Sequence, residues 1–105
     1  MNWTLKFTNI AIEDYAHLTQ TGVERFGDNR TVAYTEQLDK DLNMFTAHPY
    51  AGRVSEFGNK GARVFPSQSH VIYYDALEDA KTVLILAILH KSQDPARRFK
   101  REFGP

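Results

Sequence analysis

Seven consecutive apolar residues, Val83-Leu84-Ile85-Leu86-Ala87-Ile88-Leu89, constrain this chain more than any other feature. The run is too short for a free-standing helix, is rich in β-branched and Leu side chains, and follows a charged turn at Glu78-Asp79, so it predicts a β-strand. A strand with one wet face alternates apolar and polar residues. This one does not, so both of its faces must be covered. At about 1.5 to 3 kcal/mol for each large aliphatic side chain fully buried, the run represents roughly 10 kcal/mol or more of gross hydrophobic stabilisation. It is expected to be the central strand.

Two more strands precede it. Arg63-Val64-Phe65-Pro66 breaks at Ser67-Gln68-Ser69 and resumes as His70-Val71-Ile72-Tyr73-Tyr74-Asp75. In that second stretch Val71, Tyr73 and Asp75 share one face, and Ile72, Tyr74 and Ala76 share the other. Near the N-terminus, Trp3-Thr4-Leu5-Lys6-Phe7 alternates with period two and predicts a short first strand. Thr8 or Asn9 is placed to cap a helix from Ile10 to Phe26, with Ile12, Tyr15, Ala16, Thr19, Val23 and Phe26 recurring on one face. Gly22 is expected to make that helix irregular near its end, and Gly27 to stop it. Asp28 or Asn29 would cap a second helix carrying Tyr34, Leu38, Asp41 or Leu42, and Phe45, which Pro49 terminates. A connection of two or three residues makes the two helices an antiparallel hairpin, the natural cover for one sheet face. From Pro49 to Gly61 periodicity vanishes, which predicts a loop bearing Arg53, Glu56 and Lys60, with Arg63 at its exit.

The 105 residues suffice for one core and not for two, so a single domain over 1–105 is expected. No cysteine is present, which excludes disulfides, thiol nucleophiles and thiolate metal sites. Histidines at 17, 48, 70 and 90 lack metal-ligand spacing, so neither a metal nor a cofactor is expected. There is no basic-then-apolar leader and no stretch near the ~20 residues that cross a bilayer, which points to a cytoplasmic, unprocessed protein without membrane contact. Net charge is zero, against bulk coating of nucleic acid. The charge is uneven, however: Lys91, Arg97, Arg98, Lys100 and Arg101 face the single acid Asp94 in a basic C-terminal segment.

Several stretches resemble the ParE-type toxins of bacterial toxin–antitoxin modules, within the RelE/ParE superfamily. Glu13-Asp14-Tyr15 through Glu24-Arg25-Phe26-Gly27 is similar to that family's first helix. His48-Pro49-Tyr50-Ala51-Gly52-Arg53 is similar to its Asn-Pro-x-x-Gly-Arg turn. Arg63-Val64-Phe65-Pro66, His70-Val71-Ile72-Tyr73-Tyr74, Ile88-Leu89-His90 and Asp94-Pro95-Ala96-Arg97 resemble its C-terminal half. The resemblance covers nearly the whole chain.

The fold it implies is α+β: an N-terminal strand, an antiparallel helical hairpin, then a three-stranded antiparallel sheet completed by the first strand. The function it implies is growth arrest by a toxin that binds and poisons DNA gyrase. A cognate antitoxin, ParD-like and of the ribbon-helix-helix kind, would neutralise it in a hetero-oligomer. That mechanism needs a binding surface rather than a catalytic constellation, and no direct sequence-specific contact with nucleic acid. Arg97, Arg98, Phe99, Lys100 and Arg101 are the target-binding candidates, since they combine charge with an aromatic anchor. The alternative is RelE-like, ribosome-dependent cleavage of messenger RNA. Such cleavage needs a proton acceptor, a cation at the phosphorane and a proton donor, for which Arg63, His90 and Lys91 are the candidates. A third alternative is a degenerate, non-toxic module that only binds an antitoxin.

Overall fold

The computed structural model describes residues 2–58 and 61–104, so Lys60 lies outside the described residues. In order, the elements are β1 (Thr4–Phe7), α1 (Asn9–Phe26), α2 (Asp28–Ala47), β2 (Arg53–Val54), β3 (Arg63–Ser67), β4 (His70–Leu77), β5 (Thr82–His90) and α3 (Pro95–Phe103). The strands form one sheet in the order β1-β5-β4-β3-β2.

The sheet differs from the expected one in two ways. It has five strands rather than three completed by a fourth, because Arg53 and Val54, inside the expected loop, pair with Val64 and Arg63. Two residues are too few to show a period, so nothing in their pattern marks a strand; the open edge of β3 recruits them. The sheet is also mixed, since β1 runs parallel to β5, from Thr4 opposite Thr82 to Phe7 opposite Ile85.

Thr8 caps α1 by accepting a hydrogen bond from Ala11 N at 3.0 Å. The buried stripe of α1 differs from the expected one: Ala11 is fully buried, with Asp14, Tyr15 and Leu18 half-buried beside it, whereas Ile12, Val23 and Phe26 are exposed. The helix also runs unbroken through Gly22. A Cβ there would sit 2.9 Å from Thr31 Oγ1, so the glycine lets α2 approach closely. Gly27 alone (φ 84°) joins the two helices, and Asp28 is already the first residue of α2, with no side-chain cap. On α2, Leu38, Leu42 and Phe45 are buried, as the period requires.

The sheet separates two cores. On the hairpin side, Phe45 stacks on Tyr74 at 4.2 Å among Leu38, Ile72, Ile85 and Ile88. On the opposite side, Phe99 of α3 packs with Tyr73, Leu86, Leu89 and Phe57. Both faces of β5 are therefore covered, as its composition demands. No described helix is long and apolar enough to cross a membrane.

A bulge interrupts the β4–β5 ladder. Tyr73 pairs with Ala87 and Tyr74 with Ile85, which leaves Leu86 unmatched. One extra residue reverses side-chain parity beyond it. Val83 and Ile85 face the hairpin, Leu86 and Ala87 both face α3, and Ile88 faces the hairpin again. His90 is thereby carried to the face that holds His70.

Candidate functional site

Residues 91 to 101, expected as a basic tail, are a turn followed by a capped helix. Asp94 Oδ1 accepts from the backbone N–H groups of Ala96 (3.1 Å) and Arg97 (3.4 Å), and Pro95 occupies the first helical turn, where its missing N–H costs nothing. The Asp-Pro pair was in the sequence as a helix-start signal. It is the clue that identifies α3.

The helix divides the five target-binding candidates. Arg97, Lys100 and Arg101 are exposed and recur at i, i+3 and i+4, so they share its outer face. Phe99 is buried, stacked on Phe103 at 5.0 Å and edge-on to Tyr73 at 5.0 Å. Arg98 also points inward: its Nη2 lies 2.6 Å from Asp14 Oδ1, and the two side chains are only 11% and 12% exposed. Its Nε is 3.4 Å from Glu102 Oε1 but too poorly aligned for a hydrogen bond.

Asp14 joins three elements. β1 ends at Phe7 while β5 continues to His90, which leaves part of one β5 edge without a strand partner. Side chains take over there. The Thr8 hydroxyl donates to Leu86 O at 2.8 Å, and Asp14 Oδ2 accepts from Ile88 N at 3.0 Å. The other oxygen of Asp14 holds Arg98, so one carboxylate both satisfies the β5 edge and ties α3 to α1.

At the far end of β5 lies a polar cluster. His70 stands opposite His90, with ring centroids 5.2 Å apart and planes nearly perpendicular. Tyr34 of α2 reaches His70 Nδ1 at 2.5 Å while its oxygen accepts from Ser69 N at 3.0 Å. Tyr34 thus ties the β3–β4 turn and the His70 ring to α2. His90 Nδ1 accepts from Ser92 N at 3.1 Å. Burial holds the His70 pKa down at about 4, helped by the neighbouring charge of His90 and opposed by Asp14.

The nuclease candidates are not drawn together. Arg63 pairs across from Tyr74, while His90 pairs across from His70. Four residues along and two strands across correspond to roughly 16 Å. Arg63 Nη1 donates to Gly52 O at 2.7 Å, and its guanidinium lies 5.0 Å from the centroid of the Tyr50 ring. Lys91 is exposed, its backbone N–H bonded to Ser69 O at 3.0 Å. Arg63 thus belongs to the Pro49–Arg53 turn, where the Tyr74 hydroxyl donates to Pro49 O and accepts from Gly52 N, both at 2.9 Å. A Cβ on Gly52 would meet that hydroxyl at 2.9 Å, so the turn requires glycine. Among the described residues, no group of three or more His, Asp or Glu is placed to hold a metal ion.

A helical hairpin on one face of a sheet ordered β1-β5-β4-β3-β2, with a short basic helix on the other, defines a RelE/ParE-like α+β toxin fold. Residues 5–95 match the sequence model of the ParE toxin of type II toxin–antitoxin systems, parDE, and the chain belongs to that family. The solved structures agree on the fold. A chromosomal ParDE toxin–antitoxin system from P. aeruginosa superimposes with a TM-score of 0.71 at 21% identity, covering 84% of this chain and 95% of that one. The RelBE2 toxin–antitoxin complex from Mycobacterium tuberculosis gives 0.63 at 18% identity, covering 89% and 95%. The intact E. coli RelBE complex gives 0.59 at 16% identity, covering 87% and 99%. A search of curated protein sequences finds no match.

Proposed function

We propose that this chain arrests growth by binding and poisoning DNA gyrase, and that a cognate ParD-like antitoxin holds it in an inactive hetero-oligomer. Family membership supports the toxin role, and the solved relatives, described as toxin–antitoxin systems and complexes, support the antitoxin partner. The observation that carries the target reading is the build of α3. A capped helix, tied to the body through Arg98 and Phe99, holds Arg97, Lys100 and Arg101 outward as a fixed basic face. Poisoning requires such a surface and no proton relay.

The test is to mix the protein with gyrase, supercoiled plasmid and ATP, trap covalent complexes with detergent and protease, and look for linear DNA. Dose-dependent linear product is expected. Its absence, with gyrase still active, would overturn the target assignment.

A second reading, ribosome-dependent cleavage of messenger RNA, draws on the His70–His90 cluster. There Tyr34 and Ser92 orient two imidazoles beside the exposed Lys91. Programmed ribosomes incubated with the protein would give cut message that disappears in His90→Ala.

A further inference from the structure

We infer that the outer face of α3 binds the phosphodiester backbone of nucleic acid directly and without sequence preference. This rests on the α3 surface proposed above and names the chemistry it touches: phosphates rather than an apolar patch of a protein partner.

A protein–protein contact concentrates its energy in aromatic or Arg anchors that enter pockets. Here the aromatic side chains are already engaged, since Phe99 is buried between Tyr73 and Phe57, and Phe103 stacks on Phe99. The Arg best held for a bidentate contact, Arg98, is neutralised by Asp14. The outer face exposes Ala96, Arg97, Lys100 and Arg101, three cations within about one helical turn, while Phe103 at the helix end is 37% exposed but stacked on Phe99. Glu102 offsets part of the charge of Arg101 at 3.3 Å and is itself turned toward Arg98. Elsewhere the chain must carry three net negative charges to reach zero, so approach of a polyanion is favoured on this face and disfavoured on the rest. A row of cations fixed on a capped helix is complementary to a row of phosphates.

Affinity should be modest and steeply salt-dependent. Two to three neutralised phosphates give a slope of about −1.8 to −2.7 in log K against log salt, a roughly ten- to fortyfold loss between 50 and 200 mM on duplex DNA.

The experiment is fluorescence anisotropy of the full chain with a labelled random-sequence DNA duplex, a single-stranded RNA of the same length, and poly-glutamate, each over a salt series. The expected result is saturable binding to at least one nucleic acid, with that slope and no dependence on sequence. The triple variant Arg97→Ala/Lys100→Ala/Arg101→Ala should bind at least tenfold more weakly. The control Arg25→Ala/Arg30→Ala/Lys40→Ala, which removes equal charge from exposed positions on the hairpin, should bind within about threefold of wild type. Preference for duplex or for single strand assigns the polymer. Three results would overturn the inference: no binding at low salt, poly-glutamate bound as tightly as nucleic acid, or equal weakening in both triple variants. The gyrase assay separates the two proposals. Linear product without binding to either nucleic acid sinks this inference alone, and nucleic-acid binding without linear product sinks the gyrase assignment alone.

Discussion

The two layers that cover the sheet are held by different means. The hairpin brings thirty-eight helical residues and a continuous apolar stripe, so its attachment is distributed over Ala11, Leu38, Leu42 and Phe45. The α3 layer brings nine residues and two attachments, the ring of Phe99 and the Arg98–Asp14 ion pair. Wide burial makes the first layer the fold itself. Concentrated attachment makes the second a mount, whose outer face is free to carry function because its inner face needs so few residues. The sharpest expectation from that contrast is that damage to the first layer unfolds the chain, whereas damage to the second detaches one helix.

Phe45→Ala should have the largest effect, about 3 to 5 kcal/mol, since it removes a fully buried ring stacked on Tyr74 and leaves a cavity. Denaturant titration by far-UV circular dichroism checks it, and a loss below about 1 kcal/mol would contradict the distributed-core account. Asp14→Ala should cost about 3 kcal/mol, because it strands the buried Arg98 charge and orphans the Ile88 N–H. Adding Arg98→Met should recover part of that loss. If the double variant is as unstable as the single one, the ion pair is not what Asp14 contributes. Phe99→Ala should cost about 3 kcal/mol, the low end for a buried ring, and act locally. Amide exchange would then accelerate over 95–103 while the protons of α2 and β5 stay protected, and uniform acceleration would erase the distinction between the layers.

The smallest effect is a pH dependence. His70 stays neutral in the folded chain down to about pH 4, where the unfolded chain takes up its proton near 6.5. Between those values the unfolded state binds more protons, so stability must fall as pH falls through that window. The charges facing His70 are His90, which reinforces the effect, and Asp14, which opposes it. Denaturation midpoints at pH 7 and pH 5 measure the change. His70→Phe should flatten it, and an unchanged slope would remove His70 as the source.

Much of this architecture was written in local patterns. The unbroken apolar run of β5 announced a strand covered on both faces, and the 3.6-residue period of α2 placed Leu38 and Phe45 in the core, leaving Asp41 or Leu42 open between them, of which Leu42 is the buried one. What escaped was information that apolar runs and short pairings do not carry. A continuous run has no alternation, so the parity reversal at Leu86 that turns His90 toward His70 leaves no trace in it. Arg53-Val54 becomes a strand only because β3 offers an edge. Ile12, Val23 and Phe26 looked like a buried stripe since period alone does not say which stripe meets the sheet. The candidate site was half legible. Its charges were plain in the sequence, but the sorting of Arg97, Lys100 and Arg101 outward from Arg98 and Phe99 inward depends on Asp14, eighty-four residues away.

The most direct test of a separable functional layer is the yield of trapped linear DNA against toxin concentration in the gyrase assay, compared between wild type and Arg97→Ala/Lys100→Ala/Arg101→Ala. The variant is expected to keep the wild-type denaturation midpoint, because all three side chains are exposed, and to give no linear product at concentrations where wild type saturates. Equal product from the two proteins would contradict the account and move the functional surface off α3.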